Sequence, residues 1–499
     1  MGKKVLSQED RIFRRNKWCY SIPGTGRDLA YNLYNSFLLT YILYTRSLTS
    51  AQFSAISVIM VVCCIWDGVN DPIMGGIIEN TRTRFGKFKP WIFIGALTNA
   101  VMLIVIFTNR MSGWKFVGAF VAMYLLWDIT YTMNDISYWS MLSSLTSKAH
   151  ERNSITSMAN LFGGLGTVLS TALIPLFTAG KNTIGGNSVT AYAVIAVIIA
   201  LLFFGGQFAV CATVKEPHVA SAPLEEHIGL RKMAKIIFSN DQLLWVALIM
   251  LTVNLGGAMV TAMGANYFYL EFGYEGSNVS LFTTFYAAAS GVVFFIYPML
   301  SKKIGRYKIA LISLICTIVG YGAMVITGFF APTSIKFALY CAESMVVGFG
   351  YSLFYMVTTI CLMNTIEYNE YKTGERNEGI IFSVRPFMAK MSSALQKLIT
   401  MVVYLGIGML AITNGISDLE QQANLGEITE AEKITAIADI LSNADAGMVI
   451  SLRLVITVLP VLFIGTAFLV MKKKATIDET EYARMLEEIE ARKHEGDAE

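Results

Sequence analysis

The sequence predicts an all-α polytopic membrane protein whose twelve transmembrane helices form two six-helix bundles. Three observations carry that expectation. Apolar residues make up 54% of the 499 residues and charged residues only 15%, with a mean hydropathy of +0.53, too apolar for a soluble chain of this length. Apolar stretches long enough to cross a hydrocarbon core of ~30 Å recur from end to end. Lys and Arg alternate sharply between successive connecting segments.

Taken in order, the apolar stretches lie near 20–48, 52–80, 91–109, 115–145, 154–180 and 189–213, then near 240–270, 278–300, 309–330, 337–366, 380–410 and 447–471. Several exceed the length that a perpendicular helix needs, so they are expected to tilt. The first follows MGKKVLSQEDRIFRRNKW, which is charged and polar, so no cleavable signal peptide is expected. Residues 1–214 are therefore an N-terminal six-helix half. Residues 215–238, polar and mixed in charge, form a linker, and 239–472 form a C-terminal six-helix half. Two further segments are soluble: an insertion, 411–446, expected as short amphipathic helices, and a charged helical tail, 473–499. Both read as solvated surfaces without an assigned role.

The basic residues orient the chain. One set of segments holds clusters such as Arg11, Arg14, Arg15 and Lys17, then Arg82, Arg84, Lys87 and Lys89, then Lys302, Lys303, Arg306 and Lys308, then Lys472–Lys474. The alternate set holds only Arg46, Arg110, Lys115, Lys181, Lys336 and Lys433. The positive-inside rule places both termini in the cytoplasm of a multi-pass protein in the cell's cytoplasmic membrane. An even number of spans follows.

The seven cysteines form no CxxC pair and read as small packing residues. All four histidines fall in loops or the tail, HExxH is absent, and the spans carry no nucleophile–base pair, so an enzyme is not expected. The two halves look duplicated. Arg84-Phe85-Gly86-Lys87-Phe88-Lys89 follows the second span, and Lys303-Ile304-Gly305-Arg306-Tyr307-Lys308 stands at the matching place after the eighth. Six plus six spans with both ends inside is the major facilitator architecture.

Within this apolar background some charges stand out. Asp71 lies eleven residues before Arg82, ~16 Å from the boundary at ~1.5 Å per residue. Asp67 is one turn earlier and Asn70 lies between them, so all three share a helix face. Two carboxylates so close in low dielectric cannot both stay ionised unaided. They are either neutralised by arginines of a neighbouring helix or form a site for a cation or proton. On the fourth span Asp128, Tyr131, Thr132, Asp135 and Trp139 share a second face. Carboxylates accept paired sugar hydroxyls and aromatic faces stack on pyranose C–H groups, although Tyr131 and Trp139 alone also suit simple packing. Arg27 and Asp28 on the first span, with Arg385 and Lys390 on the eleventh, suggest either a polar cavity or an ion-pair network; the same residues can serve both.

The motifs Trp66-Asp67-x-x-Asn70-Asp71-Pro72-x-x-Gly75, Thr81-Arg82-x-Arg84-x-Gly86-Lys87-Phe88-Lys89-Pro90-Trp91 and Asn364-Thr365-Ile366-Glu367-Tyr368-Asn369-Glu370-Tyr371-Lys372-Thr373-Gly374-x-Arg376-x-Glu378-Gly379 resemble the signatures of the glycoside-pentoside-hexuronide:cation symporters. The similarity runs from about Tyr20 to the last span. It implies alternating-access symport of a sugar, glycoside or uronide with Na+ or H+ as coupling ion. The implied cation ligands are Asp67, Asn70, Asp71 and Thr132. The implied substrate residues are Arg27, Asp28, Tyr131, Asp135, Trp139 and Lys390, with Asn160 and Tyr355 standing where the family carries a sugar-site arginine and tryptophan. Losing the guanidinium fork changes which hydroxyls can be read, so a galactoside does not follow. Arg82, Arg84, Lys87, Glu367, Tyr368 and Arg376 are the implied cytoplasmic gate or anchor, and Asn364 replaces the usual aspartate there. Partners are expected to be the sugar, the cation and the lipid bilayer, with no nucleic acid and a monomeric state. A carrier of an amphipathic, lipid-like substrate would need an apolar cavity, which Arg27, Asp28, Asp135 and Lys390 oppose. A non-transporting sugar sensor acting through the tail would bind without uptake.

Overall fold

The computed structural model describes residues 8–146, 148–215, 230–475 and 477–496; most of the expected linker lies outside them. The described residues are helical almost throughout, with no strand among them. The first helices are α1 (Gln8–Ser21), α2 (Gly24–Thr45), α3 (Ser50–Asn80), α4 (Lys89–Thr108), α5 (Gly113–Ser144), α6 (Ala149–Thr178) and α7 (Ser188–Thr213). After the linker come α8 (Leu230–Ser239), α9 (Asp241–Phe272), α10 (Gly276–Lys303), α11 (Arg306–Phe330), α12 (Thr333–Thr373), α13 (Glu378–Phe382) and α14 (Val384–Ile407). The chain closes with α15 (Met409–Leu425), α16 (Glu430–Ser442), α17 (Ala446–Lys474) and α18 (Glu479–Gly496).

Ten of these helices are long and apolar enough to cross a membrane, or eleven if the pair bent by 90° at Gly408 counts as one span. The expected twelve therefore stands against ten or eleven by this measure. Helix α2 falls outside the set, being interrupted by Arg27, Asp28, Asn32, Asn35 and Ser36. Large apolar side chains such as Leu97, Val101, Ile198, Leu201 and Leu202 are exposed, as a lipid-facing surface requires.

Two compact units are present. Unit 1 comprises Met1–Pro223, Phe268–Ser280 and Met401–Asp445; unit 2 comprises Leu224–Tyr267, Leu281–Thr400 and Ala446–Glu499. Their internal pairing repeats. In unit 1, α4 packs on α5 and α7; in unit 2, α11 packs on α12 and α17. Third, fourth and sixth apolar segments of each half thus play the same parts, and the duplicated basic loop precedes α4 and α11 alike.

In unit 1, α3 starts at a capping box in which Thr49 and Gln52 satisfy each other's backbone N–H. Helix α5 is seated by Asn134, whose Nδ2 donates to Ile92 O of α4 at 3.0 Å. A methyl group on Gly95 would lie 2.7 Å from Thr130 O, so only glycine lets α4 and α5 approach this closely. In unit 2 the core is a layer of Leu243, Met250, Val293, Leu353, Phe354, Val357 and Ile464.

The insertion and the tail differ from the solvated surfaces expected of them. Helices α15 and α16 belong to unit 1, where α15 packs on α2. Glu420 and Lys433 are both 0% exposed and 3.3 Å apart. Glu420 Oε2 accepts from Ser188 N at 2.6 Å and Lys433 Nζ donates to Gly186 O at 2.7 Å. Helix α18 packs on α12 with Met485 and Ile489 buried. Its Glu479 accepts from the backbone N–H and Nε of Arg306 at 2.6 and 3.1 Å, capping the first turn of α11, whose N-cap Gly305 offers no side chain.

Candidate functional site

Helix α3 continues through its acidic stretch to Asn80 without a break. Asp67 and Asp71 converge on one hydroxyl of α5: Thr132 Oγ1 lies 2.9 Å from Asp67 Oδ1 and 3.4 Å from Asp71 Oδ1. A hydroxyl has one proton to donate, so both carboxylates are drawn to a group that can serve only one at a time. Asn70 is buried on the same helix, and its Nδ2 has no hydrogen-bond partner among the described residues. The four predicted cation residues thus supply two carboxylates, an amide and a hydroxyl, and three of the four are joined by hydrogen bonds. This is a hard oxygen donor set of the kind that suits a small alkali cation and not a soft metal.

The second cluster of unit 1 is built around Arg27. Its Nε and Nη2 lie 2.9 and 2.8 Å from Asp28 Oδ1, and Nη1 lies 3.2 Å from Asp135 Oδ1. The Arg27 side chain is 5% exposed, against 22% for Asp28 and 36% for Asp135. The arginine therefore sits behind the two carboxylates and leaves each with an open face. The guanidinium lies over the rings of Tyr138 and Trp139, 4.6 and 4.9 Å from their centroids. Tyr138 is fixed in turn by a reciprocal clasp: Tyr20 Oη donates to Tyr138 O at 2.6 Å and Tyr138 Oη to Tyr20 O at 2.7 Å, with the rings stacked at 4.3 Å. Sequence reasoning named Arg27, Asp28, Asp135 and Trp139, but not the Tyr20–Tyr138 clasp that aims them.

Tyr131 stacks between Trp127, at 5.9 Å, and Tyr31, at 5.0 Å. Tyr31 was missed, yet it is 45% exposed at the end of this stack, one turn after Asp28. The signal was available, since Tyr31 follows the Arg27-Asp28 pair at helical spacing. Asn160 is exposed on α6, in line with Asn153, Ser157, Gly164 and Thr167, which are also exposed. The spacing makes one polar stripe beside the apolar face of Leu161, Leu165, Val168 and Leu169. The next residues of α6 touch the carboxylate cluster, because a methyl group on Gly163 would lie 2.3 Å from Asp28 Oδ2.

In unit 2, Tyr355 Oη accepts from Arg385 Nη2 at 2.9 Å. Lys390 is partly buried one turn further along α14. Sequence reasoning missed Lys397, which is buried two turns beyond Lys390. The gate residues divide between the units. In unit 2, Arg376 bridges Glu367 at 2.9 Å and Glu370 at 3.0 Å. Tyr368 and Lys372 both reach Asp241 Oδ1 at 2.9 Å. In unit 1, Arg82 and Arg84 are exposed and Lys87 lies 5.3 Å over Phe88, within a turn closed by Gly86 at φ +100°.

Comparison with known proteins gives the family and the fold. Residues 19–474 match the family described as MFS/sugar transport protein. The chain is 26% identical over 525 residues to a lactose permease of Lactobacillus helveticus, covering 100% of this chain and 74% of that protein. It is 24% identical over 487 residues to a raffinose carrier protein of Pediococcus pentosaceus, covering 94% and 70%. Among solved structures, a bacterial homolog of the human lysosomal transporter Spinster superposes with a TM-score of 0.61 at 13% identity, covering 95% of this chain and 99% of that one. At that identity the likeness speaks for the fold alone.

Proposed function

We propose, from the premise that this chain belongs to the MFS/sugar transport protein family, that it carries a sugar or glycoside into the cell together with Na+ or H+. It is a membrane transporter and not an enzyme. The observation that carries the coupling is the convergence of Asp67 and Asp71 on Thr132. A cation entering between the carboxylates would relieve their repulsion, and the Thr132 hydroxyl could then turn its lone pair inward as a ligand, with the Asn70 carbonyl as a fourth oxygen. A proton would relieve the same repulsion by neutralising one carboxylate.

The substrate would be read by the open faces of Asp28 and Asp135, with Trp139 and the Tyr31–Tyr131 stack supplying aromatic surface and Asn160 a neutral hydrogen-bonding group. Arg27 orients both carboxylates, pairing with Asp28 at 2.8 Å and with Asp135 at 3.2 Å. In unit 2, Tyr355 and Lys390 are the proposed contributors. Two clusters share α5, at Thr132 and at Tyr131 and Asp135, three or fewer residues apart. Cation entry and sugar entry would therefore act on the same turns of one helix, and linkage makes each tighten the other. The distribution of Lys and Arg supports cytoplasmic termini, and the six-plus-six division of the chain stays part of this reading.

The test is uptake into proteoliposomes of labelled mono-, di- and trisaccharides, glycosides and uronides, under a Na+ gradient or a proton gradient. Accumulation driven by one of the two ions is expected, and Asp67→Cys and Asp71→Cys should abolish it. Accumulation at the wild-type level in either variant would remove the cation assignment. No sugar moved under either gradient would remove the symport reading.

A further inference from the structure

One carboxyl of unit 2 lies outside every cluster described above. Glu343 stands ten residues after Thr333, the first residue of α12, so about 15 Å along that helix, and inside its apolar stretch. Its Oε1 accepts from Thr327 Oγ1 of α11 at 2.5 Å. Its Oε2 is buried with no hydrogen-bond partner among the described residues.

The charged and titratable groups on the elements packed here are occupied elsewhere. Arg453 of α17 lies against Gly328, where a methyl group would come within 2.5 Å of its Nε, and that Nε donates to Tyr267 Oη at 3.1 Å. The Tyr267 and Tyr340 hydroxyls are 2.6 Å apart, and Tyr340 Oη donates to Met324 O at 3.1 Å. Lys336, two turns before Glu343 on α12, donates to Gly328 O at 3.2 Å. Among the described residues no ion pair reaches Glu343.

An ionised carboxylate with one oxygen on a single hydroxyl and the other buried without a partner, inside an apolar span, is costly. A purely structural acceptor for Thr327 could equally be a glutamine, which would carry no charge. What glutamate adds is the ability to take up and release a proton. We propose that Glu343 is a proton-binding carboxyl of unit 2, loaded and unloaded during the transport cycle and distinct from the cation residues of α3 and α5. The step is a bare proton transfer: the carboxylate and a hydronium ion give the carboxylic acid and water, and no other bond changes. The link to transport rests on the symport reading above; the titration itself does not.

The experiment is infrared difference spectroscopy of the purified protein in lipid across about pH 5 to 9, on wild type and on Glu343→Gln, Glu343→Asp and Thr327→Val. Sugar counterflow is recorded over the same range, and sugar binding shows that each preparation is folded. A carboxylic-acid C=O band that titrates in wild type should vanish in Glu343→Gln, persist in Glu343→Asp and move in Thr327→Val. The pH profile of counterflow should flatten in Glu343→Gln. A wild-type band in Glu343→Gln overturns the proposal, and so does an unchanged counterflow profile. Wild-type protein that moves no sugar while the band titrates would instead count against the symport reading and leave the proton site standing.

Discussion

Substituting Gly163 by alanine tests the carboxylate cluster without touching a charged residue. The added methyl would lie 2.3 Å from Asp28 Oδ2 and 3.2 Å from its Cγ, where ordinary contact begins at 3.4 Å. The Asp28 carboxylate must therefore move by about 1 Å. It is the far end of a flexible side chain, so the move costs the fold little, and replacing a mid-helix glycine by alanine returns up to about 1 kcal/mol of helix propensity. The displaced oxygen, however, no longer meets a hydroxyl docked on its open face, and one mismatched charged hydrogen bond costs about 1–3 kcal/mol. Sugar affinity should thus fall roughly 5- to 150-fold, while thermal stability stays level or rises. Cation affinity without sugar should hold, since Asp67 and Asp71 contact Thr132 and not α6. Gly164→Ala is the matched control, because nothing lies within 4 Å of a methyl there; it should gain the same propensity and keep its affinity. Equilibrium sugar binding and cation binding on both purified variants decide the matter. A folded Gly163→Ala protein that binds sugar as tightly as Gly164→Ala would refute the role of Asp28.

Thr132→Val keeps the shape of the side chain and removes the hydroxyl, so cation affinity should drop about 5- to 30-fold, or about 1–2 kcal/mol, with sugar affinity in saturating cation nearly unchanged; titration of cation-dependent sugar binding reads both. Glu420→Gln or Lys433→Met each strands a fully buried partner, and each should lower the stability of unit 1 by about 3–5 kcal/mol, whereas the double variant should lose much less than the sum, as thermal unfolding will show. Burial pushes the Glu479 carboxyl up, but the Arg306 backbone N–H and guanidinium outweigh it and hold it below the usual carboxylate range. A group so lowered stabilises docking above its free pKa and loses that contribution as pH falls through its docked value. Hydrogen exchange across Met485 and Ile489 should therefore accelerate below about pH 4, and Glu479→Gln should exchange fast at every pH.

What the sequence disclosed and what it hid follow from the range of the interactions. Asp67, Asn70 and Asp71 are legible because their spacing and the hydropathy around them lie within one helix. Thr132 was reachable from local pattern as one member of a polar stripe on α5, and as a cation ligand through the family resemblance alone; its convergence with α3 is a tertiary fact. Arg27 illustrates the limit: the family resemblance implied substrate contact for it, whereas its side chain is 5% exposed and paired with Asp28 and Asp135. Glu343 and Lys397 were readable in principle as lone charges in apolar stretches, but neither belongs to a motif. The insertion and tail were read as solvated because their composition is polar and amphipathic. The partners that bury Glu420, Lys433, Met485 and Ile489 come from remote segments, which no local pattern reveals.

Those remote partners bear on the order in which the protein is made. Helix α15 docks on chain emitted long before it: Asn414 exchanges hydrogen bonds with the backbone of Leu48 across 366 residues, and Gln421 donates to Thr45 O across 376. Until residues 401–445 leave the ribosome, Thr45 O, the Leu48 backbone and Ser188 N lack these partners, even though α2, α3 and α7, which carry or flank them, have already been translated. Native closure of the first unit must then wait for most of the second to be translated, with the loop-closure cost of such distant pairings still to be met. A gene divided within the linker would yield a first fragment without its own last helices, and its maturation would depend on receiving them from the other fragment.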